Sequence, residues 1–556
     1  MKKLIECVPN FSEGRDMSII KQITDEIEKI EDVKLLDVDP GKATNRTVVT
    51  FVGTPDAVVE AAVQAIKKAA ELIDMSQHSG EHPRFGATDV CPLIPISNVT
   101  MDECVVFAHK LGKRVGEELG LSGYFYENAA SKPERKNLAT VRSGEYEGLP
   151  AKLADKNWQV DFGPQTFNPK YGVTAISARD FLVAYNVNLN TTSTRRANAI
   201  AFDVRENGRV KKKGGEIVRD KDGNALRVPG MLKACKAIGW YIEEYQQAQI
   251  SMNLTNITIT SAHEAFDAVC ESATKRGIRV TGSELVGLIP LQAMLDAGKH
   301  YLKKQKRSLG ISEREIIDIA IKSMGLDDLG PFDPEKKIIE YLLIDDSKKL
   351  VDLNIAAFAD ETASESPAPG GGSISAYVGA LGVSLGTMVA NLSSHKRGWD
   401  KKWKFYSDWA EKGQGYKKTL LHLVDEDTNA FNKIMEAFRL PKNSDEEKSA
   451  RSKAITSATK YAIEIPFKVM EVSLKSMEVM KAMAEKGLPA SLSDAGVGAM
   501  CARTAVMGAF LNVKINTAEL KDEKYVKSKL SAGEKIASEA QELEREILKM
   551  IEDKIG

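Results

Sequence analysis

The sequence predicts an α/β N-terminal part made of two α/β subdomains, followed by an all-α helical C-terminal domain. Sixteen of the 19 prolines lie in residues 1–369, so long uninterrupted helices are expected mainly after that point. Up to about residue 345, short β-branched runs alternate with longer helical patterns. A strand-like run at 181–189 then begins a fresh cycle, which indicates a second α/β subdomain.

Individual elements follow from local patterns in chain order. Residues 33–38 and 47–52 are β-branched runs that predict strands, and a helix is expected from about Pro55 to Ile73 because apolar residues recur there with helical spacing. An apolar segment, Val90–Ile96, follows a loop rich in glycine and proline. The charged stretch 331–350 has the composition of an exposed connector between the α/β and helical parts.

These patterns predict four segments. They are an N-terminal α/β subdomain at 1–180, a second α/β subdomain at 181–340, a linker at 341–350 and a helical domain at 351–556. We also expect that the parts on either side of the linker can fold as separate fragments.

The composition narrows the possible functions. The 43% hydrophobic and 28% charged residues are typical of a globular chain, and 77 basic residues against 78 acidic ones give no overall field for nucleic acid or membrane. No apolar run is expected to reach the ~18 residues needed to span a bilayer, and Glu6 interrupts any signal-peptide core. We therefore expect a cytoplasmic protein without nucleic-acid or membrane partners.

A loop at 75–86 carries two of the seven histidines. His78, Glu81 and His82 match the HxxEH pattern of inverted zinc peptidases, in which the histidines hold the metal from one helix. Gly80 and Pro83 disfavour that helix, so a zinc site is the weaker alternative.

His82 is the stronger candidate for proton transfer in this loop. It lies between Glu81 and Arg84, and an imidazole can take and return a proton near neutral pH. A histidine that merely packs or faces solvent is the competing interpretation.

A second loop, at 161–172, contains two glycines, two prolines and three aromatic residues, which excludes a helix. It could be a structured connection, or a ligand loop whose aromatic rings stack on a flat ligand ring. The residue pattern leaves both interpretations open.

Two features stand out in the helical part. Pro367–Ser373 precedes a helix of small residues, whose free amides could hold an anion, although close helix packing is the favoured interpretation.

Asp427 falls near the middle of an apolar helical stripe about 100° wide, while Asp425 points elsewhere. Burial raises the pKa of such a carboxyl towards the range useful for proton transfer, and an ion pair with a lysine or arginine is the alternative. The apolar members of the stripe are Leu420, Val424, Phe431, Ile434, Met435 and Phe438.

Several phrases along essentially the whole chain resemble the formimidoyltransferase-cyclodeaminase family, in the order in which the family has them. Residues 393–409 depart from the family pattern. The matching phrases are Glu6–Gly14, Leu36–Asp39, Thr44–Thr47, Gly80–Arg84, Asp89–Pro92, Asp161–Pro164, Pro367–Ser373, Pro441–Asn443 and Asn512–Asn516.

The resemblance implies roles for individual residues. His82 would be the catalytic base of a transferase with Asp39 near it, and Asp427 the catalytic aspartate of a cyclodeaminase with Asp425 beside it. Arg84 is expected to contact substrate. The residues expected to bind folate are Gly163, Pro164, Gln165, Thr166, Phe167, Asn168, Pro169, Lys170, Tyr171 and Gly172.

The resemblance also implies a function in histidine degradation. The formimino group of N-formimino-L-glutamate would move to N5 of tetrahydrofolate, and 5-formiminotetrahydrofolate would then close to 5,10-methenyltetrahydrofolate with release of ammonia. (Poly)glutamylated tetrahydrofolate would be a co-substrate, with no tightly bound cofactor, no metal, and a homo-oligomer built from dimers. The alternatives are a zinc metallopeptidase using His78, Glu81 and His82, and a non-catalytic folate-binding scaffold.

Overall fold

The computed structural model describes residues 3–42, 44–80, 83–343, 349–518 and 520–555. The chain divides into two compact units, one of residues 1–297 and 324–344 and one of residues 298–323 and 345–556. The first is α/β and the second is helical, which confirms the predicted fold class.

A seven-stranded mixed sheet forms the first part of the α/β unit. Its strand order is β3-β4-β1/β2-β5-β7-β6, and all pairings are antiparallel except those of β7 with β5 and β6. The predicted strands at 33–38 and 47–52 and the helix at 55–73 are confirmed as β3, β4 and α2. The elements are β1 (Leu4–Cys7), β2 (Asn10–Phe11), α1 (Met17–Glu28), β3 (Val33–Gly41), β4 (Arg46–Gly53), α2 (Pro55–Leu72), β5 (Thr88–Ser97), α3 (Met101–Leu119), β6 (Gly123–Glu127), α4 (Leu138–Val141), α5 (Leu149–Ala154) and β7 (Thr174–Ala178).

The two faces of this sheet have different partners because successive strand residues point in opposite directions. Cys7 pairs in register with Phe51 and Leu93, and all three are fully buried in the apolar core that includes α1, α2 and α3. Glu6 and Val8, which alternate with Cys7, face the other way into a cavity. One face of the sheet is thus available for a site.

A four-stranded antiparallel sheet, in the order β13-β14-β8-β15, forms the second part of the α/β unit. Helices α6 and α7 pack on it, and two short strand pairs lie outside it. The elements of this part are β8 (Val183–Leu189), α6 (Thr194–Val204), β9 (Arg209–Val210), β10 (Lys212–Lys213), β11 (Glu216–Ile217), β12 (Arg227–Val228), β13 (Cys235–Ile242), β14 (Gln247–Leu254), α7 (Ala262–Thr274), β15 (Val280–Val286), α10 (Pro334–Lys337) and α11 (Ile339–Leu342). Between β15 and α10 the chain forms α8 (Leu291–Lys304) and α9 (Glu313–Met324), of which residues 298–323 belong to the helical unit.

The expectation of an exposed connector is wrong for residues 334–342, which form α10 and α11. Asp333 caps α10 by accepting a hydrogen bond from the Glu335 amide. Ile338 and Ile339 are buried in the α/β unit, and Ile338 bridges to Ile289. These two buried isoleucines hold against the α/β unit a segment whose charged residues had suggested exposure. Residues 344–348 of the predicted linker lie outside the described residues.

Long helices make up the second unit after residue 354. Small residues permit close packing of the longest ones, since Gly382 of α13 lies against the Gly498 carbonyl of α16 and Gly386 lies against Met480. The packing interpretation of the small-residue helix is therefore confirmed. The helices are α12 (Ile355–Thr362), α13 (Gly371–Ser394), α14 (Trp403–Arg439), α15 (Asp445–Lys486), α16 (Leu492–Thr517) and α17 (Glu523–Ile555).

Two segments of this unit, Gly371–Ser394 and Pro489–Thr517, are long and apolar enough to cross a membrane by length and composition. The expectation that no apolar run reaches that length is wrong by this criterion, because alanine, valine, leucine and methionine give both segments a high mean hydropathy. Both contribute to the buried core of the unit, and 61% and 50% of their most apolar windows are buried. A helix in the buried core of a protein can have the same length and apolar composition as one that crosses a membrane.

Candidate active sites

A cavity of about 330 Å³ lies between the open face of the first sheet and the second sheet of the α/β unit. Its size is at the lower end of the range for small-molecule sites. The second sheet contributes Ala184, Asn253 and Val286 to the wall. The charged lining residues are Glu6, Asp37, Asp39, Arg46, Arg142 and Arg179.

Strand pairing places most of these groups. Asp37 and Asp39 occupy alternate positions of β3, opposite Thr50 and Val48 of β4, so both carboxyl groups lie on the cavity face. Asp39, which the resemblance implied near the catalytic base, thus lies in the cavity wall.

Two arginine side chains in the cavity wall form a buried cluster with Asp89. The Asp89 carboxylate is fully buried, and its Oδ2 accepts hydrogen bonds from the guanidinium groups of Arg46 and Arg142, the latter at 2.6 Å. Arg46 Nε also donates to Asn10 Oδ1 at 3.0 Å. Both guanidinium groups are therefore fixed in orientation.

Glu6 supplies a titratable group at the cavity. Burial raises its pKa to about 7, although the nearby Arg179 lowers it. A carboxyl with that pKa can hold or release a proton near neutral pH. Sequence reasoning missed Glu6 and the three arginines as site residues, and the signal for Glu6 is its place in the otherwise apolar strand β1.

His82 and Glu81 lie outside the described residues, so the predicted role of His82 stays a prediction. His78 Nε2 lies 2.8 Å from the Asn45 carbonyl oxygen, so Nε2 carries the proton. Nδ1 is buried and has no partner among the described residues. Burial lowers the pKa of His78, which favours the neutral imidazole.

The loop at 163–172 packs directly against the histidine loop. The Met75 amide donates to the Lys170 carbonyl and the Ala87 amide to the Tyr171 carbonyl, both at 2.8 Å. Arg84 pairs with Glu147. Of the described residues that line the cavity, none belongs to 163–172, and its expected role in binding folate stays a prediction.

In the helical unit, Asp427 of α14 lies at the first turn of α13. Its Oδ2 accepts hydrogen bonds from the Ser373 amide at 2.8 Å and the Ser373 hydroxyl at 3.1 Å. A Cβ on Gly372 would collide with the carboxyl, and one on Gly371 would lie 3.1 Å from Asn512 Nδ2 of α16. Two phrases that carried the family resemblance, Pro367–Ser373 and Asn512–Asn516, thus meet at Asp427.

Opposing influences set the pKa of Asp427. Burial is the largest and raises the pKa, while the hydroxyl and amide of Ser373 lower it. The outcome is a raised pKa. The Ser373 hydroxyl also lies 2.9 Å from the Val424 carbonyl. When Ser373 donates there, its oxygen can accept a hydrogen bond from the protonated Asp427 carboxyl, so this geometry accommodates the protonated acid.

Asp425 has a different environment. Its Oδ1 accepts a hydrogen bond from the Leu350 amide at 2.8 Å, so it anchors the segment that precedes α12. Burial raises its pKa. Its assignment as a second catalytic aspartate stays a prediction.

The apolar stripe around Asp427 is only partly buried. Leu420 and Val424 lie in the core, whereas Phe431, Met435 and Phe438 are 39%, 40% and 47% exposed. The expectation of one continuous core-facing stripe is therefore wrong for its C-terminal half, where the buried side chains are those of Ala430 and Ala437 instead.

Within the described ranges, no group of three or more histidine, cysteine, aspartate or glutamate side chains is placed to hold a metal ion. Glu81 and His82 fall outside those ranges, so this finding does not bear on the HxxEH pattern.

Comparisons with known proteins follow the same division of the chain. Residues 4–179 match the family model for the formiminotransferase domain, N-terminal subdomain, residues 184–344 that for the formiminotransferase domain, and residues 354–535 that for formiminotransferase-cyclodeaminase. The formimidoyltransferase-cyclodeaminase of Gallus gallus is 41% identical over 554 residues, which cover 99% of each chain.

Two shorter relatives each match part of the chain. The glutamate formimidoyltransferase of Thermoplasma acidophilum is 43% identical over 302 residues, which are 54% of this chain and 92% of that protein. The methenyltetrahydrofolate cyclohydrolase of Methylorubrum extorquens is 35% identical over 202 residues, which are 36% of this chain and 97% of that protein.

Proposed function

The chain belongs to the formiminotransferase-cyclodeaminase family, and we propose that its two structural parts catalyse two consecutive reactions on one folate. The α/β unit transfers the formimino group of N-formimino-L-glutamate to N5 of tetrahydrofolate. The helical unit closes 5-formiminotetrahydrofolate to 5,10-methenyltetrahydrofolate and releases ammonia. The observation that carries this proposal is the match to bifunctional relatives over the full length of both chains.

The transfer step needs a two-way proton shuttle. N5 of tetrahydrofolate loses a proton as it attacks the amidine carbon, and the departing glutamate nitrogen gains one. A single imidazole can do both, and we assign this role to His82. Asp39 and Glu6 supply carboxyl groups in the wall of the cavity of the α/β unit.

Ring closure needs an acid. N10 attacks the formimino carbon, and the tetrahedral intermediate must lose ammonia rather than return to the starting compound. A group that still carries its proton near neutral pH can protonate the departing nitrogen. Asp427 fits this role because burial raises its pKa and the helix start leaves room for its carboxyl beside Gly372.

The proposal also covers the pathway and compartment of the enzyme, its oligomeric state and the form of its folate substrate. We place it in histidine degradation in the cytoplasm, as a homo-oligomer built from dimers that uses (poly)glutamylated tetrahydrofolate. The exposed phenylalanine and methionine side chains at the end of α14 support an interface between copies of the chain. No tightly bound cofactor or metal is needed by either reaction.

The two alternative functions have less support. The three matching family models describe formiminotransferase and cyclodeaminase domains, so nothing in the comparisons favours a zinc metallopeptidase. A folate-binding scaffold would bind tetrahydrofolate without turnover.

The test is to incubate the purified protein with N-formimino-L-glutamate and tetrahydrofolate. We expect near-ultraviolet absorbance of 5,10-methenyltetrahydrofolate to appear together with an equal amount of ammonia. Folate binding without either product would support the scaffold instead, and stoichiometric zinc retained after dialysis, without either product, would support the metallopeptidase.

A further inference from the structure

The buried cluster of Arg46, Asp89 and Arg142 carries more positive than negative charge. Asp89 is fully buried and bonds both guanidinium groups through one oxygen, Oδ2. The side chains of Arg46 and Arg142 are only 11% and 14% exposed. One carboxylate cannot neutralise two guanidinium groups, so one positive charge remains in a largely dehydrated place.

Nearby groups do not remove this excess. Glu6, Asp37 and Asp39 line the same cavity, but within the described part of the chain none of the three forms an ion pair with Arg46 or Arg142. Burial lowers the pKa of Arg46, and the neighbouring Arg142 lowers it further, against the opposite effect of Asp89. The cluster is therefore short of negative charge.

Arg142 also retains an unused donor. Its Nε is buried and has no hydrogen-bond partner among the described residues, while its Nη2 is bound to Asp89. A buried guanidinium donor without a partner is costly unless a ligand or water fills the position. Both arginines line the cavity, whereas Asp89 lies behind them and is not among the lining residues.

We propose that Arg46 and Arg142, oriented by Asp89, bind a glutamate carboxylate of a transferase substrate. The inference rests on the proposed function, because both transferase substrates carry glutamate: the formimino donor and the tail of tetrahydrofolate. A carboxylate would supply the missing charge and could accept from Arg142 Nε, in the planar geometry that arginine offers to carboxylates. The cavity of about 330 Å³ suits a small ligand or one end of a larger ligand.

The test measures kcat and the KM of each transferase substrate for the wild type, Arg142→Gln and Arg142→Lys. We expect Arg142→Gln to raise one KM about 10- to 100-fold with a smaller change in kcat, since a charged hydrogen bond is lost. Arg142→Lys should recover part of this loss because it restores the charge but not the planar donor pair. A raised KM for the donor assigns the carboxylate to N-formimino-L-glutamate, and a raised KM for tetrahydrofolate assigns it to the folate tail.

Arg114→Gln is the matched control. Arg114 also forms ion pairs, with Glu60 and Glu118, but it lies on α3 and is not among the cavity-lining residues. In Arg114→Gln we expect the KM values of both transferase substrates to stay within about twofold of the wild type, because the ion pairs of Arg114 lie outside the cavity lining.

The outcomes separate this inference from the proposed function. An inactive wild type would contradict the proposed function itself. An active wild type with both KM values unchanged in folded Arg142→Gln would overturn the inference alone. If Arg142→Gln does not fold, Arg142→Lys is the deciding variant. Unchanged KM values in folded Arg142→Lys would then overturn the inference.

Discussion

The Asp427 carboxyl shows how single neighbours set the chemistry of a site. Ser373 donates to it from both its amide and its hydroxyl, which stabilises the charged form, whereas burial stabilises the protonated form. Burial is the larger influence, so Asp427 keeps its proton to a higher pH than an ordinary aspartate. A reaction that needs this proton should slow as the pH rises through the raised pKa.

Ser373→Ala should move that fall in cyclisation rate to higher pH. The substitution removes a hydroxyl that lowers the pKa of Asp427, so the acid should stay protonated to a higher pH than in the wild type. The measurement is the pH profile of cyclisation of supplied 5-formiminotetrahydrofolate.

Ser384→Ala is the control for this profile, because the Ser384 hydroxyl bonds the Ala380 carbonyl of its own helix. An unshifted profile in Ser373→Ala, or a shift to lower pH, would contradict the role of Asp427 as the acid.

At the scale of an element, α15 contains a proline within the helix, and another helix compensates for it. Pro466 has no amide hydrogen to donate to the Ala462 carbonyl four residues earlier. Asn516 of α16 donates to that carbonyl instead, at 2.8 Å. Asn516, which lies in a phrase that carried the family resemblance, thus has a structural role.

Asn516→Ala should destabilise the helical unit by about 1–3 kcal/mol, because it leaves a buried carbonyl without a partner. In a Pro466→Ala background the loss should be smaller, since residue 466 then supplies its own amide. The measurement is a double-mutant cycle on the free energy of unfolding from urea titration. Equal losses in both backgrounds would show that Asn516 does not act through the Ala462 carbonyl.

Local patterns predicted most elements but not their associations. The proline distribution and the period-2 and period-3.6 patterns were sufficient for the fold class and for β3, β4 and α2. They could not show that Arg46 and Arg142 share Asp89, because these residues lie 43 and 53 positions from it and meet only when the sheet forms. The position of Asp427 at the start of α13 likewise depends on helix packing.

At the scale of the whole molecule, residues 298–323 belong to the helical unit although they precede the last part of the α/β unit in the chain. The Leu309 amide donates to Ser407 Oγ at 3.0 Å. The Gly310 carbonyl accepts from both Asn391 and Gln414. A division of the chain near residue 350 would remove these contacts from the helical fragment.

We therefore expect a fragment of residues 350–556 to melt about 5 °C or more below a fragment of residues 291–556. Loss of the buried Leu309 side chain alone is worth about 1.5–3 kcal/mol, and 1 kcal/mol shifts Tm by about 2–4 °C at this size. The measurement is thermal unfolding by circular dichroism with cyclisation assayed on both fragments. Equal melting temperatures would mean that residues 298–323 do not support the helical unit.

The central claim is that two separate sites act in sequence, and a mixing experiment with two variants of the full chain tests it most directly. His82→Ala should lose transfer by about 10²- to 10⁴-fold but still cyclise 5-formiminotetrahydrofolate, and Asp427→Asn should transfer but not cyclise. With N-formimino-L-glutamate and tetrahydrofolate, each variant alone should give no near-ultraviolet product, whereas the mixture should give it together with ammonia. The account would be contradicted if either variant alone formed the product, or if the mixture formed none while 5-formiminotetrahydrofolate accumulated in solution.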